Sequence, residues 1–198
     1  MATLRTAADT TKPNTAERIL DIAERLVQIR GFNSFSYADI ATELGITKAS
    51  LHYHFAGKAE LGQALISRYA DRFYAALRQI DQDLQDAPAK LEAYAELYAE
   101  VLRGHRMCMC GILAAEYQTL PEPMRGAVVE FFDENQRWLA EVLAQGHADN
   151  TLRLTASPEE TAQSILSTLE GAMLVARPYD DLARFNSTAR QLLASLAV

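Results

Sequence analysis

Residues 36–58 read SYADIATELGITKASLHYHFAGK, two short helical runs separated by Gly45-Ile46-Thr47. Ser36 and Thr47 each stand just before a run, where a side-chain oxygen can accept a hydrogen bond from a free amide of the first turn. Gly45 ends the first run, and its backbone can reach a positive φ without strain. The stretch therefore predicts two short helices, YADIATEL and KASLHYHF, joined by a tight turn.

The second of these helices has a polar outer surface. Leu51 is expected to turn inward toward Ile40 of the first helix, which leaves these side chains mainly outward: Lys48, Ser50, His52, Tyr53 and His54. A helix with such a surface fits the major groove of B-DNA, which is about 12 Å wide. Lys58 and the backbone amides at the start of the following helix suit phosphate oxygens.

A zinc site is the alternative interpretation of His52 and His54. Residues two apart on a helix point about 200° apart, so these two imidazoles cannot easily share one metal ion. Metal-binding histidine pairs on a helix favour a spacing of four residues. The sequence therefore predicts a DNA-contacting helix here, with no metal and no cofactor.

The negative net charge of the whole chain argues against nucleic-acid binding, but the charge is unevenly distributed along the sequence. The chain has 198 residues and a net charge of −7. Residues 1–61 contain seven Lys/Arg and seven Asp/Glu, so the deficit belongs entirely to residues 62–198, with twelve and nineteen. An acidic body attached to a neutral head can bind DNA if the cations of the head cluster on one face.

Helical periodicity continues through most of the remaining chain. Helix formers dominate the composition, and glycine and proline stand mostly at segment edges. Thr15 and Asp180 are expected to cap the first and last helices, and residues 1–14 are expected to form a mobile polar tail. No apolar run approaches the ~20 residues of a membrane helix, and the N-terminus lacks the apolar core of a signal peptide. The sequence predicts an all-α fold of about nine helices and a cytoplasmic protein.

Residues 16–61 resemble the DNA-binding domain of the TetR family of transcriptional regulators. The matching features include Arg30-Gly31-Phe32, Asp39-Ile40-Ala41, Leu44-Gly45-Ile46-Thr47-Lys48, Tyr53-His54-Phe55 and Gly57-Lys58. His52 stands where many members carry a tyrosine. This difference bears on which DNA sequence the protein prefers and not on the class of protein. The resemblance implies a helix-turn-helix DNA-binding domain over 15–61, with these candidate DNA contacts: Ser36, Tyr37, Thr47, Lys48, Ser50, His52, Tyr53, His54 and Lys58.

The resemblance also implies that residues 62–198 form a helical ligand-binding and dimerisation domain. The family architecture predicts a homodimer through the last two helices, a palindromic double-stranded operator and a small organic effector. It also predicts a regulator, most simply a repressor, and no enzyme. Aromatic and sulfur side chains are the candidates for lining the effector pocket: Tyr69, Phe73, Tyr98, Cys108, Tyr117, Phe131 and Met173.

Cys108 and Cys110 leave a second interpretation open. The pair could sense oxidants or electrophiles, since His105 and Arg106 lie close enough in sequence to lower a thiol pKa. Buried cysteines more commonly serve as small apolar side chains or line a pocket. A thiol- or metal-dependent enzyme is a further alternative, but no nucleophile, base and orienting group occur at recognisable spacing.

Overall fold

The computed structural model describes residues 14–198, and within them it confirms an all-α fold of nine helices. The helices are α1 Thr15–Arg30, α2 Tyr37–Leu44, α3 Lys48–His54, α4 Lys58–Asp83, α5 Ala87–Arg103, α6 Met109–Ala115, α7 Glu122–Ala148, α8 Pro158–Ala176 and α9 Leu182–Ala194. Two 3₁₀ turns, Tyr117–Thr119 and Arg177–Tyr179, follow α6 and α8. The predicted N-terminal tail lies outside the described residues, apart from Asn14.

Helices α1 to α3 form a small head with its own apolar centre. Ile19, Ala23 and Val27 of α1 are completely buried, as are Ile40 of α2 and Leu51 of α3. These residues repeat at the spacing of one helix face, so each helix contributes a single apolar side. The head therefore has the helix-turn-helix arrangement that the sequence predicts.

The turn between α2 and α3 depends on Gly45. Its backbone is left-handed, with φ 68° and ψ 33°, and its N–H donates to the end of α2. Nothing lies within 4 Å of a Cβ built there, so the requirement for glycine comes from the backbone conformation alone.

The remaining helices form the body around a second apolar core. Helices α7 and α8 pack together most extensively, α9 packs on α8 and α5, and α4 and α5 pack on α7. Helix α4 belongs to both parts, since it contacts α1 of the head and α5 and α7 of the body. Its 26 residues make a rod of about 39 Å.

Two of the predicted helix caps are wrong by one residue. Thr15 is the first residue of α1, and the Asn14 side chain is the cap, accepting from the Glu17 N–H at 2.9 Å. Asp181 caps α9 through the Ala183 N–H, whereas Asp180 is left-handed at φ 49°. In both places two capping residue types stand next to each other, and local sequence does not decide between them.

Candidate nucleic-acid interface and effector site

Helix α3 presents its polar side away from the head. Thr47 caps it by accepting from the Ser50 N–H at 3.1 Å, as predicted. Tyr53 is 88% exposed although it is a large aromatic residue. Lys48 and His52 are also exposed, while Ser50 and His54 are half-buried. The Tyr53 ring meets only the edge of the His54 ring, at 5.4 Å, so most of it is left to solvent. Exposed tyrosine and lysine side chains are common donors to DNA.

His52 is held in a fixed orientation at the end of this surface. Its Nδ1 lies 3.1 Å from the Ala56 carbonyl, and its ring lies 4.8 Å from that of Tyr37. Because a carbonyl only accepts, Nδ1 carries the proton and Nε2 is the nitrogen left for a partner. A neutral His52 therefore accepts at Nε2, and it donates to a phosphate there only as an imidazolium.

Tyr37 and Ser36 flank the surface and also stabilise the motif. The Tyr37 hydroxyl donates to the Phe55 carbonyl at 3.0 Å, which ties the start of α2 to the end of α3. Burial raises the pKa of Tyr37 to about 12, with a further contribution from Glu60. Ser36 donates from its backbone N–H and its hydroxyl to Asp39, each at 2.7 Å, and this lowers the pKa of Asp39.

Lys58 is turned inward. Its ammonium donates to the carbonyls of Phe32 and Phe35 and lies 4.7 and 4.2 Å from the centres of their rings. Burial lowers the pKa of Lys58, opposed by the charges of Glu116 and Asp39. In this position the ammonium stabilises the loop between α1 and α2, and its hydrogen bonds go to that loop.

The body contains a continuous cluster of aromatic rings from α4, α5 and α7. Phe73 is its centre, with edge-to-face contacts to Tyr94, Tyr98 and Phe131 at centroid distances of 6.1, 6.1 and 5.3 Å. Tyr69 lies 5.7 Å from Phe131. Four of the predicted effector-site residues therefore lie together, and we refer to Tyr69, Phe73, Tyr94, Tyr98 and Phe131 as the aromatic cluster.

The hydroxyls of this cluster are used internally. Tyr94 donates to Asn135 Oδ1 at 3.1 Å, so its oxygen accepts the proton of Tyr98 at 3.0 Å. Asn135 is completely buried and donates to the Phe131 carbonyl at 2.8 Å. Tyr69 donates to the Cys108 sulfur at 3.6 Å. Desolvation raises the pKa of all three tyrosines, so the cluster is uncharged near neutral pH.

Both cysteines are buried, and both are free thiols. Burial raises the pKa of Cys108 and of Cys110 well above the usual value, and the carboxyl of Glu170 on α8 raises both further. The expectation that His105 and Arg106 lower a thiol pKa is therefore wrong. His105 is instead paired with Asp180 at 2.8 Å, in an exposed contact. Inaccessible, protonated thiols are poor nucleophiles.

Glu170 is a polar residue of the body that sequence reasoning missed, as is Asn135. Burial raises its pKa to about 7, and the adjacent Cys108 thiol opposes that shift. The signal for this position was available, since Glu170 lies four residues after Leu166 and three before Met173, both on the apolar side of α8. An acid on an apolar face indicates a buried carboxyl.

Two predicted pocket residues lie apart from the ring contacts of the cluster. Tyr117 is half-buried in the 3₁₀ turn after α6, where the Arg125 guanidinium lies 6.0 Å from its ring. Met173 is fully buried in the core face of α8.

The segment from Met107 to Thr119 connects this part of the body to the head. The Gln28 side chain donates to the Met107 carbonyl at 3.0 Å. At the other end of the segment, the Glu116 carboxylate accepts from the Phe32 N–H at 2.6 Å and from the Asn33 N–H at 3.3 Å. The two ends of α6 therefore contact the end of α1 and the loop that carries α2.

Comparison with known proteins finds two family models that match separate parts of the chain. Residues 19–65 match the family described as bacterial regulatory proteins, tetR family, and residues 87–192 match the tetracyclin repressor-like C-terminal domain. The chain belongs to the TetR family. It is therefore a DNA-binding transcriptional regulator and not an enzyme.

Individual relatives agree in sequence and in fold. The crystal structure of a TetR-family regulator from Agrobacterium tumefaciens is 35% identical, with a TM-score of 0.89 over 92% of this chain and 97% of that one. The transcriptional regulator AcuR of Cereibacter sphaeroides is 29% identical over 152 residues, 75% of this chain and 69% of AcuR. The transcriptional repressor KstR2 of Mycobacterium tuberculosis is 28% identical over 137 residues, 68% of each chain.

Neither a metal site nor a membrane helix is found in residues 14–198. No three His, Cys, Asp or Glu residues gather there in a way that could hold a metal ion. None of the helices in this range is both long and apolar enough to cross a bilayer.

Proposed function

We propose that the chain is a ligand-responsive repressor that binds a palindromic operator as a homodimer and is released by a small organic effector. The observation that carries the DNA part is the exposed side of α3, where Lys48, Tyr53 and Thr47 face outward. The repressor KstR2 is a relative that supports the sign of regulation. A regulator of this kind acts where the chromosome is, which in a bacterium is the cytoplasm.

The proposed dimer uses the outer sides of α8 and α9. Leu174 and Val175 at the end of α8 are 61% and 60% exposed, and Tyr179 follows them at 61%. Adjacent large apolar residues on a surface indicate a protein interface, and a twofold axis suits two half-sites on DNA. Leu174→Glu is expected to give a monomer in sedimentation, whereas Val129→Glu, at a 45% exposed site on α7, leaves the dimer intact. A dimeric Leu174→Glu protein would exclude this interface.

The effector site is proposed at the aromatic cluster, because that is where α4 enters the core. Tyr69 and Phe73 lie on α4, whose first residue is Lys58 beside the head. A ligand that separates these rings from α5 and α7 tilts α4 and moves the head with it. Repression is relieved if the ligand binds better to the tilted form, by a coupling of about 1–3 kcal/mol in typical cases.

The test of the DNA function begins with selection of sites from a random duplex library by the purified full-length protein. An inverted repeat is expected, because the two recognition helices of a symmetric dimer read the same half-site. Tyr53→Ala and Lys48→Ala are each expected to weaken binding to the selected site by about tenfold, within the ~1–3 kcal/mol of a specific contact. Arg153→Ala is the matched control for loss of a cation, since Arg153 lies exposed between α7 and α8.

Two results would contradict the proposal. One is a selection that enriches no sequence. The other is an unchanged affinity of the Tyr53 and Lys48 variants for the selected DNA, measured by fluorescence anisotropy beside the Arg153 control.

A further inference from the structure

Glu170 lacks a hydrogen-bond partner at an atom where water has no access. Its Oε1 is buried and accepts no hydrogen bond from the described chain. Most buried polar atoms in folded proteins are paired, because leaving one unpaired costs about 1–3 kcal/mol. The exception needs a cause, and a binding partner that is absent from the isolated chain supplies one.

The one side chain that hydrogen-bonds to the Glu170 carboxyl is the uncharged Cys108 thiol, and Oε1 still has no partner. Its carboxyl is near enough to raise the pKa of Tyr69 on α4, of Tyr94 and Tyr98 on α5, and of Cys108 and Cys110 at the start of α6. Tyr69 donates to Cys108, Tyr98 to Tyr94, and Tyr94 to Asn135. Within the described residues, no cation contributes to the pKa of Glu170.

We propose that Glu170 and the aromatic cluster beside it recognise a small organic ammonium ion, which defines the chemical class of the effector. This inference rests on the proposed ligand-responsive function. An ammonium N–H would donate to the unpaired Oε1 in a charge-assisted hydrogen bond. Its carbon substituents would lie against tyrosine and phenylalanine rings, whose faces attract cations. A neutral donor would satisfy the same atom but would leave a buried carboxylate uncompensated.

The position of Glu170 also explains how such a ligand would reach the head. The carboxyl lies against the backbone of α6, where a Cβ added to Gly111 would come within 2.2 Å of Oε2. A ligand between this carboxyl and the rings therefore needs α6 or α8 to shift. Helix α6 leads directly to Glu116, which holds the loop after α1. Binding at Glu170 and the orientation of the head are linked through this one short helix.

The raised pKa of Glu170 predicts how binding depends on pH. At a pKa of about 7 the empty site is largely protonated at pH 6 and largely ionised at pH 8. An ammonium ion prefers the ionised carboxyl, so its affinity should rise by about tenfold between these two pH values. An alcohol of the same shape gains nothing from the ionisation.

The experiment uses matched amines and alcohols with the full-length protein. Methylammonium, butylammonium and phenethylammonium are compared with methanol, butanol and 2-phenylethanol. Trp138, the one tryptophan of the sequence, stacks on Tyr94 at 5.5 Å and reports binding by fluorescence without any DNA. At least one ammonium ion should bind about tenfold or more tightly than its alcohol, and Glu170→Gln should remove that difference because the isosteric amide has no charge.

Release from the selected operator gives a second measurement. The ammonium ion that binds should weaken operator binding of the wild-type protein and leave that of Glu170→Gln unchanged. If the Gln variant fails to fold, as judged by circular dichroism, the rise in affinity from pH 6 to pH 8 in the wild-type protein decides the question.

Equal binding of every amine and its alcohol, or an affinity independent of pH, would overturn the inference. A protein that is still released from its operator by some uncharged ligand would then keep the proposed function without this recognition. Failure to bind any operator would instead contradict the proposed function, and the fluorescence titration would still test Glu170 separately.

Discussion

The carboxylate of Glu116 is predicted to fasten the head to the body. It accepts from the Phe32 N–H at 2.6 Å and from the Asn33 N–H at 3.3 Å, across 84 and 83 residues of sequence. It also approaches the backbone at Gly31, where a Cβ would lie 2.7 Å from Oε1. Replacing it by alanine leaves a half-buried amide unpaired and removes a negative charge that supports the Lys58 ammonium.

The magnitude follows from these contacts. A hydrogen bond to a charged group contributes about 1.5–3 kcal/mol, and the second, longer bond adds little to that. For a chain of this size 1 kcal/mol corresponds to about 2–4 °C in Tm. Glu116→Ala is therefore expected to lower Tm by about 4–8 °C. Glu116→Gln, whose amide oxygen can still accept from Phe32, is expected to lower it by about half as much.

Thermal unfolding at a fixed protein concentration measures this effect, because a dimer has a concentration-dependent Tm. Gln118→Ala on the same turn is the control, since Gln118 is exposed. Operator affinity should also fall by about three- to tenfold in Glu116→Ala, because a loosely held head is less preorganised for DNA. A Glu116→Ala protein with the same Tm as the Gln118→Ala control would refute the proposed role of Glu116 in holding the head to the body.

Three further predictions concern α6 and its neighbours. The Tm of Gly111→Ala should be about 2–6 °C lower than that of Gly126→Ala, since an added Cβ meets Glu170 at the first site and open space at the second. Equal Tm values would contradict the close packing of Gly111 against Glu170. Iodoacetamide should leave Cys108 and Cys110 unmodified in the native protein and label both in urea, as read by mass spectrometry; rapid native labelling would restore the thiol-sensor interpretation. The native pKa of Glu170 is raised to about 7 from its usual 4.5, so its protonated form stabilises the fold fully below pH ~4.5 and this stabilisation is lost as the pH rises through 7. The Tm of Glu170→Gln relative to that of the wild-type protein should therefore increase between pH 5 and pH 8. A Tm difference that stays constant over this range would contradict the burial of Glu170.

The helix-turn-helix could be predicted from the sequence because its signals are local. Thr47 caps α3, Gly45 forms the left-handed turn, and the apolar spacing of Ile40 and Leu51 places α2 on α3. Each signal acts within a few residues, so no knowledge of distant contacts is required. The same local rules failed only where neighbouring residues competed for one cap, as at Asn14 and Thr15.

Residues whose role depends on distant partners could not be assigned in that way. Lys58 stands at the start of a helix, as a phosphate ligand would, yet its acceptors are the carbonyls of Phe32 and Phe35, more than twenty residues earlier. Tyr69 and Phe73 have the helical spacing of an ordinary core. Only the crossing of α4 with α5 and α7 shows that their rings share a cluster with Tyr98 and Phe131.

The charge distribution of the head shows how an acidic chain can approach DNA. Within residues 14–61 every acid accepts a hydrogen bond or ion pair from a partner: Glu17, Asp21, Glu24, Asp39, Glu43 and Glu60. Three of them, along α1, face Arg68 of α4, and one of those three also pairs with Arg72. Cations of the body thus neutralise the acids on the α1 side of the head, a different surface from the one that α3 presents.

The exposed Lys48, by contrast, makes no ion pair with any described residue. Its charge is left to act at the surface that α3 presents, although residues 1–61 carry no net charge as a whole. In the proposed complex, the local placement of charge rather than the total of −7 therefore determines which side of the head meets the phosphate backbone. The ion pairs between α1 and α4 have two effects. They neutralise the acids of α1, and they fix the head on α4, the helix through which the proposed effector would act.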